Sequence, residues 1–298
     1  MPAAAEPQPA TLPLPGGKLN AHVRVHPITT GTCMYPLDAF YARGGRLAAL
    51  HSLGFRSERI EIPIPAFVLE HPGAGVVLID TGFHPSVAVD PKKNMGPVLG
   101  RLFKAKMQPQ DGVPDQLRAR GIEPKGVRVV VMTHLHVDHA SGVAQFPGAM
   151  FIVTRREWES ATEGKQLTRG YVPRQFDHAF DWRTIDFDGP DVNSFASFGR
   201  CLDLFGDGSI RLAYTPGHTL GHMSLVVRLR DGEMLIAADS IYTMRTLRES
   251  VMPYGAHDEH EFRRSLREVQ MYAKQTPGAV IVPGHDLEAF RALKPVYE

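Results

Sequence analysis

The stretch Thr133-His134-Leu135-His136-Val137-Asp138-His139 concentrates three imidazoles and a carboxylate. These are donors that bind divalent transition metals where thiolate is scarce. The stretch follows an apolar run at 127–132 that reads as a buried strand. On an extended chain leaving a strand, side chains alternate with period two, so His134 and His136 point the same way and can share one ion. Asp138 and His139 come where the chain turns into a helix, placed to reach a second ion nearby. Such a cluster arises by accident in fewer than about one chain in a hundred.

Three later turns, each at the end of an apolar run, add His218 in Thr215-Pro216-Gly217-His218, Asp239 in Ala237-Ala238-Asp239-Ser240, and His285 in Pro283-Gly284-His285. A dinuclear catalytic site needs about three protein ligands per ion and an open position for water or substrate. His134, His136 and His218 suit one ion, and Asp138, His139 and His285 the other. Asp239 is left to bridge them. The set favours zinc, and iron, cobalt, manganese or nickel also suit such donors. His222 lies four residues after His218, but the Pro-Gly before them and the apolar run after them indicate a turn, which gives His222 an orienting or packing role. Asp80, ending a run at 76–80, is placed to orient a ligand loop by hydrogen bonding. The histidines at 22, 26, 51, 71, 84, 178, 257 and 260 have no comparable context.

These residues need strands that end together. Runs at 65–69 and 76–80 form a hairpin around His71-Pro72-Gly73-Ala74-Gly75. The mixed segment 83–110 contains MGPVLGRLFKAKM, which suggests a short amphipathic helix. A helix at 114–120, with Pro at its start and Gly just past its end, leads to the strand at 127–132. A strand at 150–153 and a helix at 155–161 follow, and then an insertion at 162–198 with little periodicity. Strands at 210–214, 223–229 and 234–238 come next, the last two joined by an Asp231-Gly232 turn. A helix at 259–275 carries Phe262, Leu266, Val269 and Ala273 on one face, and the last strand is at 279–282.

With 298 residues the chain can bury a large core as one domain or two. Lys and Arg number 33 against 32 Asp and Glu, so it lacks the basic surplus of a nucleic-acid binder. Cys33 and Cys201 are too few for a disulfide framework or a thiolate-rich zinc module. The N-terminus does not read as a signal peptide and no apolar run is long enough to span a bilayer, so a soluble cytoplasmic protein is expected. Residues 1–20 read as an arm, mobile or strapped to a partner, before a single domain at 21–298. Met34, Tyr35, Phe40 and Tyr41 read either as an apolar substrate groove or as core and dimer contacts. Together with the arm they suggest a homodimer.

In its order of His134-x-His136-x-Asp138-His139, His218, Asp239 and His285 the sequence resembles the metallo-β-lactamase superfamily. Gly31-Thr32-Cys33-Met34, Leu78-Ile79-Asp80-Thr81-Gly82, Asp239-Ser240-Ile241-Tyr242 and Pro283-Gly284-His285-Asp286 are similar to the branch of N-acyl homoserine lactone lactonases. The resemblance implies an α/β fold, an αββα sandwich with a dinuclear metal site at the edge of its two sheets. It also implies a quorum-quenching lactonase in which a metal-bridging hydroxide attacks the lactone carbonyl. Tyr242 then matches a tyrosine that assists catalysis, and Asp138 carries the proton to the leaving oxygen. Val137 stands where some such lactonases carry an aromatic, and the 162–198 insertion is long for the smallest members. A glyoxalase II-like thioesterase, or another small-molecule ester or lactone hydrolase of the superfamily, is the alternative. A purely structural zinc site is closed and four-coordinate, whereas seven ligands shared by two ions leave positions open.

Overall fold

The computed structural model describes residues 4–41, 48–52, 57–164 and 166–298. Eight strands form the first sheet: β1 (Gln8–Pro9), β2 (Arg24–Pro36), β3 (Arg59–His71), β4 (Gly75–Ile79), β5 (Lys104–Lys106), β6 (Val127–Val131), β7 (Met150–Thr154) and β8 (Asp181–Ile185). Their spatial order is β1-β8-β7-β6-β4-β3-β2-β5. Six form the second: β9 (Asn193–Phe195), β10 (Phe198–Asp203), β11 (Ile210–Tyr214), β12 (Met223–Leu229), β13 (Gly232–Ala238) and β14 (Val280–Pro283). They run in the order β14-β13-β12-β11-β10-β9.

The sheets pack face to face. Val77 and Ile79 of β4 and Val129 and Val131 of β6 meet Leu212, Leu225, Val227 and Ile236 of the second sheet in one buried cluster. Alternation sends the intervening Leu78 and Val130 to the opposite face, against Leu117, Phe151 and Trp158. Both faces of these strands are thus covered, which is why β6 reads as a nearly continuous run of valine. The second sheet's outer face is covered by the helix Glu259–Gln275, whose Phe262, Leu266, Val269 and Tyr272 pack on Val226, Leu235 and Ala237. Asp258 caps that helix by accepting the amides of His260 and Glu261. The layers are therefore helix, sheet, sheet, helix, in agreement with the αββα expectation.

Several expectations need correction. The segment at 83–110 breaks into short helices at Ser86–Val89, Pro91–Met95 and Leu99–Leu102, followed by edge strand β5. Gly96, at a φ of 88°, and Pro97 interrupt any longer helix there. The insertion at 162–198 holds the helix Pro173–Phe176 and strands β8 and β9, and β8 extends the first sheet beside β7. The turn between β12 and β13 is Arg230 and Asp231, with Leu229 paired to Gly232. The described part of the arm lies along its own domain. Gln8 and Pro9 pair with β8, Leu14 donates its amide to the Leu204 carbonyl, and the Leu14 side chain is buried. Among the described residues no helix is long and apolar enough to cross a membrane.

Candidate metal centre

Strands β4, β6, β11 and β13 all end at one edge of the sandwich, and the loops that leave them carry the chemistry. After β6 the chain runs extended through Thr133 to His136, then enters the short helix Val137–Ala140 that holds Asp138 and His139. His218 follows β11, Asp239 follows β13, and His285 follows β14.

All seven predicted side chains are brought together. His218 Nε2 lies 2.8 Å from His136 Nδ1 and 3.2 Å from His134 Nε2. His285 Nε2 is 3.4 Å from Asp138 Oδ2, and His139 Nε2 is 4.0 Å from that same oxygen. Asp239 faces both groups. Its Oδ2 is 3.2 Å from His218 Nε2 and 3.3 Å from His285 Nε2, and its Oδ1 is 3.4 Å from His139 Nε2. The donor atoms of His134, His136 and His218 lie within 4.8 Å of one another, as do those of Asp138, His139 and His285 and those of His134, His139 and Asp239.

This donor set fits divalent ions. His139 Nε2 and Asp239 Oδ1 are buried side-chain atoms without a hydrogen-bond partner. Leaving such an atom unpaired costs about 1–3 kcal/mol, and a cation between the two satisfies both. Burial, together with neighbouring imidazoles, holds His134 and His218 well below the ordinary histidine range, and burial brings His136 down to about 4. These three rings stay neutral and keep a lone pair for a metal. For His139 burial works in the same direction, but Asp80, Asp138 and Asp239 outweigh it and raise its pKa. Burial also opposes ionisation of Asp239, yet His285, His218 and His139 hold it well below the carboxylate range.

A second set of groups fixes which nitrogen each ring turns inward. Asp80 accepts the Thr133 amide and hydroxyl at 2.8 Å each and lies 2.7 Å from His139 Nδ1. It thereby turns His139 Nε2 to the cluster, the orienting role expected of it. His285 Nδ1 is 3.1 Å from the Pro63 carbonyl. His222 lies outside the cluster, its Nδ1 3.0 Å from the Thr215 carbonyl and its Nε2 accepting the Asp239 amide at 3.0 Å. It positions the Asp239 turn, where Ala238 has a φ of 45°. Tyr242 Oη is 2.7 Å from His218 Nδ1. The Phe40 ring lies 4.9 Å from Tyr242 and 5.9 Å from His285, and Tyr35 and Tyr41 pack on the same apolar cluster as Val137 and Tyr242.

Sequence reasoning missed Glu157, Tyr171 and Gly170. The Tyr171 ring lies 5.0 Å from His136, and a Cβ on Gly170 would press on that imidazole at about 3 Å. Glu157 reaches the ligand loops from the helix Arg155–Thr162. Its spacing from Thr154 reads as an ordinary capping box, which points to a surface carboxylate, and the sequence carries no other sign of it.

Comparison with known proteins bears on the family and the fold. Residues 60–285 match the family model of the metallo-beta-lactamase superfamily. The chain is 35% identical over 237 residues to the N-acyl homoserine lactonase AttM of Azorhizobium caulinodans, spanning 78% of this chain and 86% of that protein. A B. thuringiensis AiiA variant with N-decanoyl-L-homoserine bound at its active site superposes with a TM-score of 0.75 at 23% identity, over 92% of this chain and 98% of that one. AidC, a dizinc quorum-quenching lactonase in complex with a product, superposes at 0.58 with 15% identity, over 92% of this chain and 90% of its own. The two superpositions bear on the fold alone.

Proposed function

The chain belongs to the metallo-β-lactamase superfamily, and from that premise we propose that it is a quorum-quenching hydrolase that opens the lactone ring of N-acyl homoserine lactones. The observation that carries this reading is the convergence of five imidazoles and two carboxylates at one edge of the sandwich, in a chain whose lactonase relative spans most of its length. His134, His136 and His218 would hold one divalent ion, Asp138, His139 and His285 the other, and Asp239 would serve both. Zinc is the ion that a histidine and carboxylate set without thiolate suits best. Such ions, when bound, supply Lewis acidity toward a carbonyl and lower the pKa of water.

The protein's own groups position and neutralise the reacting atoms. With His218 Nε2 turned into the cluster, its Nδ1 carries the proton and donates to Tyr242 Oη, which leaves the phenol's own proton free. Burial, with Asp239, Tyr35 and Asp138 nearby, holds the Tyr242 pKa well above the usual tyrosine value. Tyr242 is therefore a hydrogen-bond donor, and it acts on the lactone oxygen as negative charge develops there. Asp138 carries a proton to the ring oxygen as the carbon–oxygen bond breaks. One water is consumed, and the products are a carboxylate, a free hydroxyl and one released proton. Tyr35 and Tyr41, partly exposed where they pack on the buried cluster of Phe40, Val137, Val172 and Tyr242, would give an acyl chain a surface to lie on. With Cys33 and Cys201 unpaired, the chain suits a reducing compartment, and the cytoplasm is the setting proposed.

The test is a hydrolysis panel of homoserine lactones of several acyl lengths, simple lactones, a thioester and a phosphodiester. Homoserine lactones are expected to give the highest kcat/KM, with all turnover lost in His134→Ala. A preference for the thioester would replace this reading with the glyoxalase II-like one.

A further inference from the structure

Glu157 is fully buried on the helix Arg155–Thr162 and touches none of the seven clustered side chains' donor atoms. Its carboxylate is nevertheless tied to both loops that supply the three-histidine group. Oε1 accepts the amide of Leu135, between His134 and His136, at 2.9 Å, and Oε2 accepts the amide of Gly221, three residues past His218, at 3.2 Å. The Tyr171 hydroxyl donates to Ser160 Oγ of the same helix at 3.4 Å, and the Tyr171 ring packs against His136.

The approach is close. A Cβ on Gly221 would collide with the Glu157 backbone amide and the Thr154 hydroxyl, so the loop at 215–222 seats on this helix only because that residue is glycine. Thr154 anchors the helix end by accepting the Glu157 amide at 3.1 Å and donating to the Gly221 carbonyl at 2.8 Å. No ion pair to Glu157 occurs among the described residues' salt bridges, so dipoles from the two loops solvate the carboxylate. Such a buried group is costly to maintain unless its donors stay in place. Its acceptor geometry therefore constrains those donors in return.

We propose that Glu157 is a positioning residue whose carboxylate clasps the segments at 133–136 and 215–222 together and so sets the affinity of the three-histidine site for its metal. The inference rests on the metal-site reading above. It separates the two halves of the cluster. Asp138 and His139 lie on the helix past His136, and Asp80 orients His139 from β4. Pro63 orients His285 from β3, and neither of these residues is tied to Glu157.

The experiment challenges zinc-loaded protein with a chromophoric chelator and reads the zinc released. It is carried out on wild type, Glu157→Gln and the exposed-helix control Glu159→Gln. The same substitutions are repeated in a His285→Ala background, which retains the three-histidine group, and in a His134→Ala background, which retains the other. Loss of an orienting group around a metal site typically weakens binding about 10- to 100-fold. That weakening is expected for Glu157→Gln with His285→Ala, with under about threefold change with His134→Ala and none for Glu159→Gln. Equal weakening of both halves, or none in either, overturns the proposal. Wild type that retains no zinc overturns the metal-site reading instead. If Glu157→Gln gives no folded protein by circular dichroism, Glu157→Asp is read in the same way, since it keeps the charge but withdraws the oxygens by one methylene.

Discussion

The Tyr242 hydroxyl lies 2.7 Å from the His218 imidazole, beside the place where charge would develop in the proposed reaction, and two roles for it predict different measurements. If it only buttresses His218, its removal lowers metal content. If it donates to the developing oxyanion, its removal lowers kcat while the metals stay bound. The raised pKa and the donor role left free by His218 Nδ1 favour the second. Tyr242→Phe should therefore lose about 100-fold in kcat, with zinc content by mass spectrometry and KM little changed. Unchanged turnover, or loss of zinc in parallel with activity, would remove Tyr242 from the reaction. At this scale the sequence was informative wherever residues cluster along the chain. His134, His136, Asp138 and His139 announce themselves by spacing, and His218, Asp239 and His285 by their place after apolar runs. Glu157 and Tyr171 did not, because their partners lie in the ligand loops and covering segment and are met only through tertiary packing.

Elements decide how closely the ligand loops approach, and glycine sets the limit. β13 and β14 run parallel, with Ile236 opposite Val282, and end side by side so that Asp239 and His285 face each other. A Cβ on Gly284 would collide with Asp239 Oδ1 and press on the Ala238 carbonyl. Gly284→Ala should displace Asp239 and weaken metal retention by about 10-fold or more, judged against the cost of disturbing groups that orient ligands. Gly148→Ala, where a Cβ meets nothing within 4 Å, should change neither zinc retention nor turnover. Chelator competition on both variants checks this, and equal behaviour would show that the strand ends yield easily. The strands around the site were readable because β4, β6, β12 and β13 are apolar runs bounded by turn residues. The segment at 162–198 was not readable. In β8 only Trp182 and Ile185 are fully buried, leaving polar Asp181, Arg183 and Thr184 to mask the strand, and its assignment depends on pairing with β7 and with the arm.

Over the whole molecule, the cluster at one end of the sandwich is balanced by a polar clasp at the other. Asp207, 5% exposed at its side chain, lies 3.0 Å from His71 Nε2 at the end of β3. It also accepts the Lys18 amide of the arm at 2.7 Å and the Ser209 amide at 2.9 Å. His71 Nδ1 accepts the amides of Gly73 and Ala74, so its Nε2 carries the proton and donates to Asp207. Burial pushes the Asp207 pKa up, but the Ser209 hydroxyl, the Lys18 and Ser209 amides and His71 outweigh it and bring it to about 2. A carboxylate whose folded pKa lies below its unfolded value stabilises the fold fully above the unfolded pKa, and loses that contribution as pH falls through the folded one. The clasp should thus be at full strength near neutral pH and fade between about pH 4 and pH 2. Asp207→Asn should lower the melting temperature of the zinc-loaded protein by a constant amount from pH 7 to about pH 5, and the gap to wild type should narrow below about pH 4. Limited proteolysis at neutral pH should cut the variant first within the arm, which loses its Lys18 anchor, while kcat/KM on a homoserine lactone stays as in wild type because the clasp lies at the far end of the strands. A gap that stays constant down to pH 3 would show that the clasp does not depend on an ionised Asp207, and lost turnover at full zinc occupancy would show that the two ends of the sandwich do not act independently.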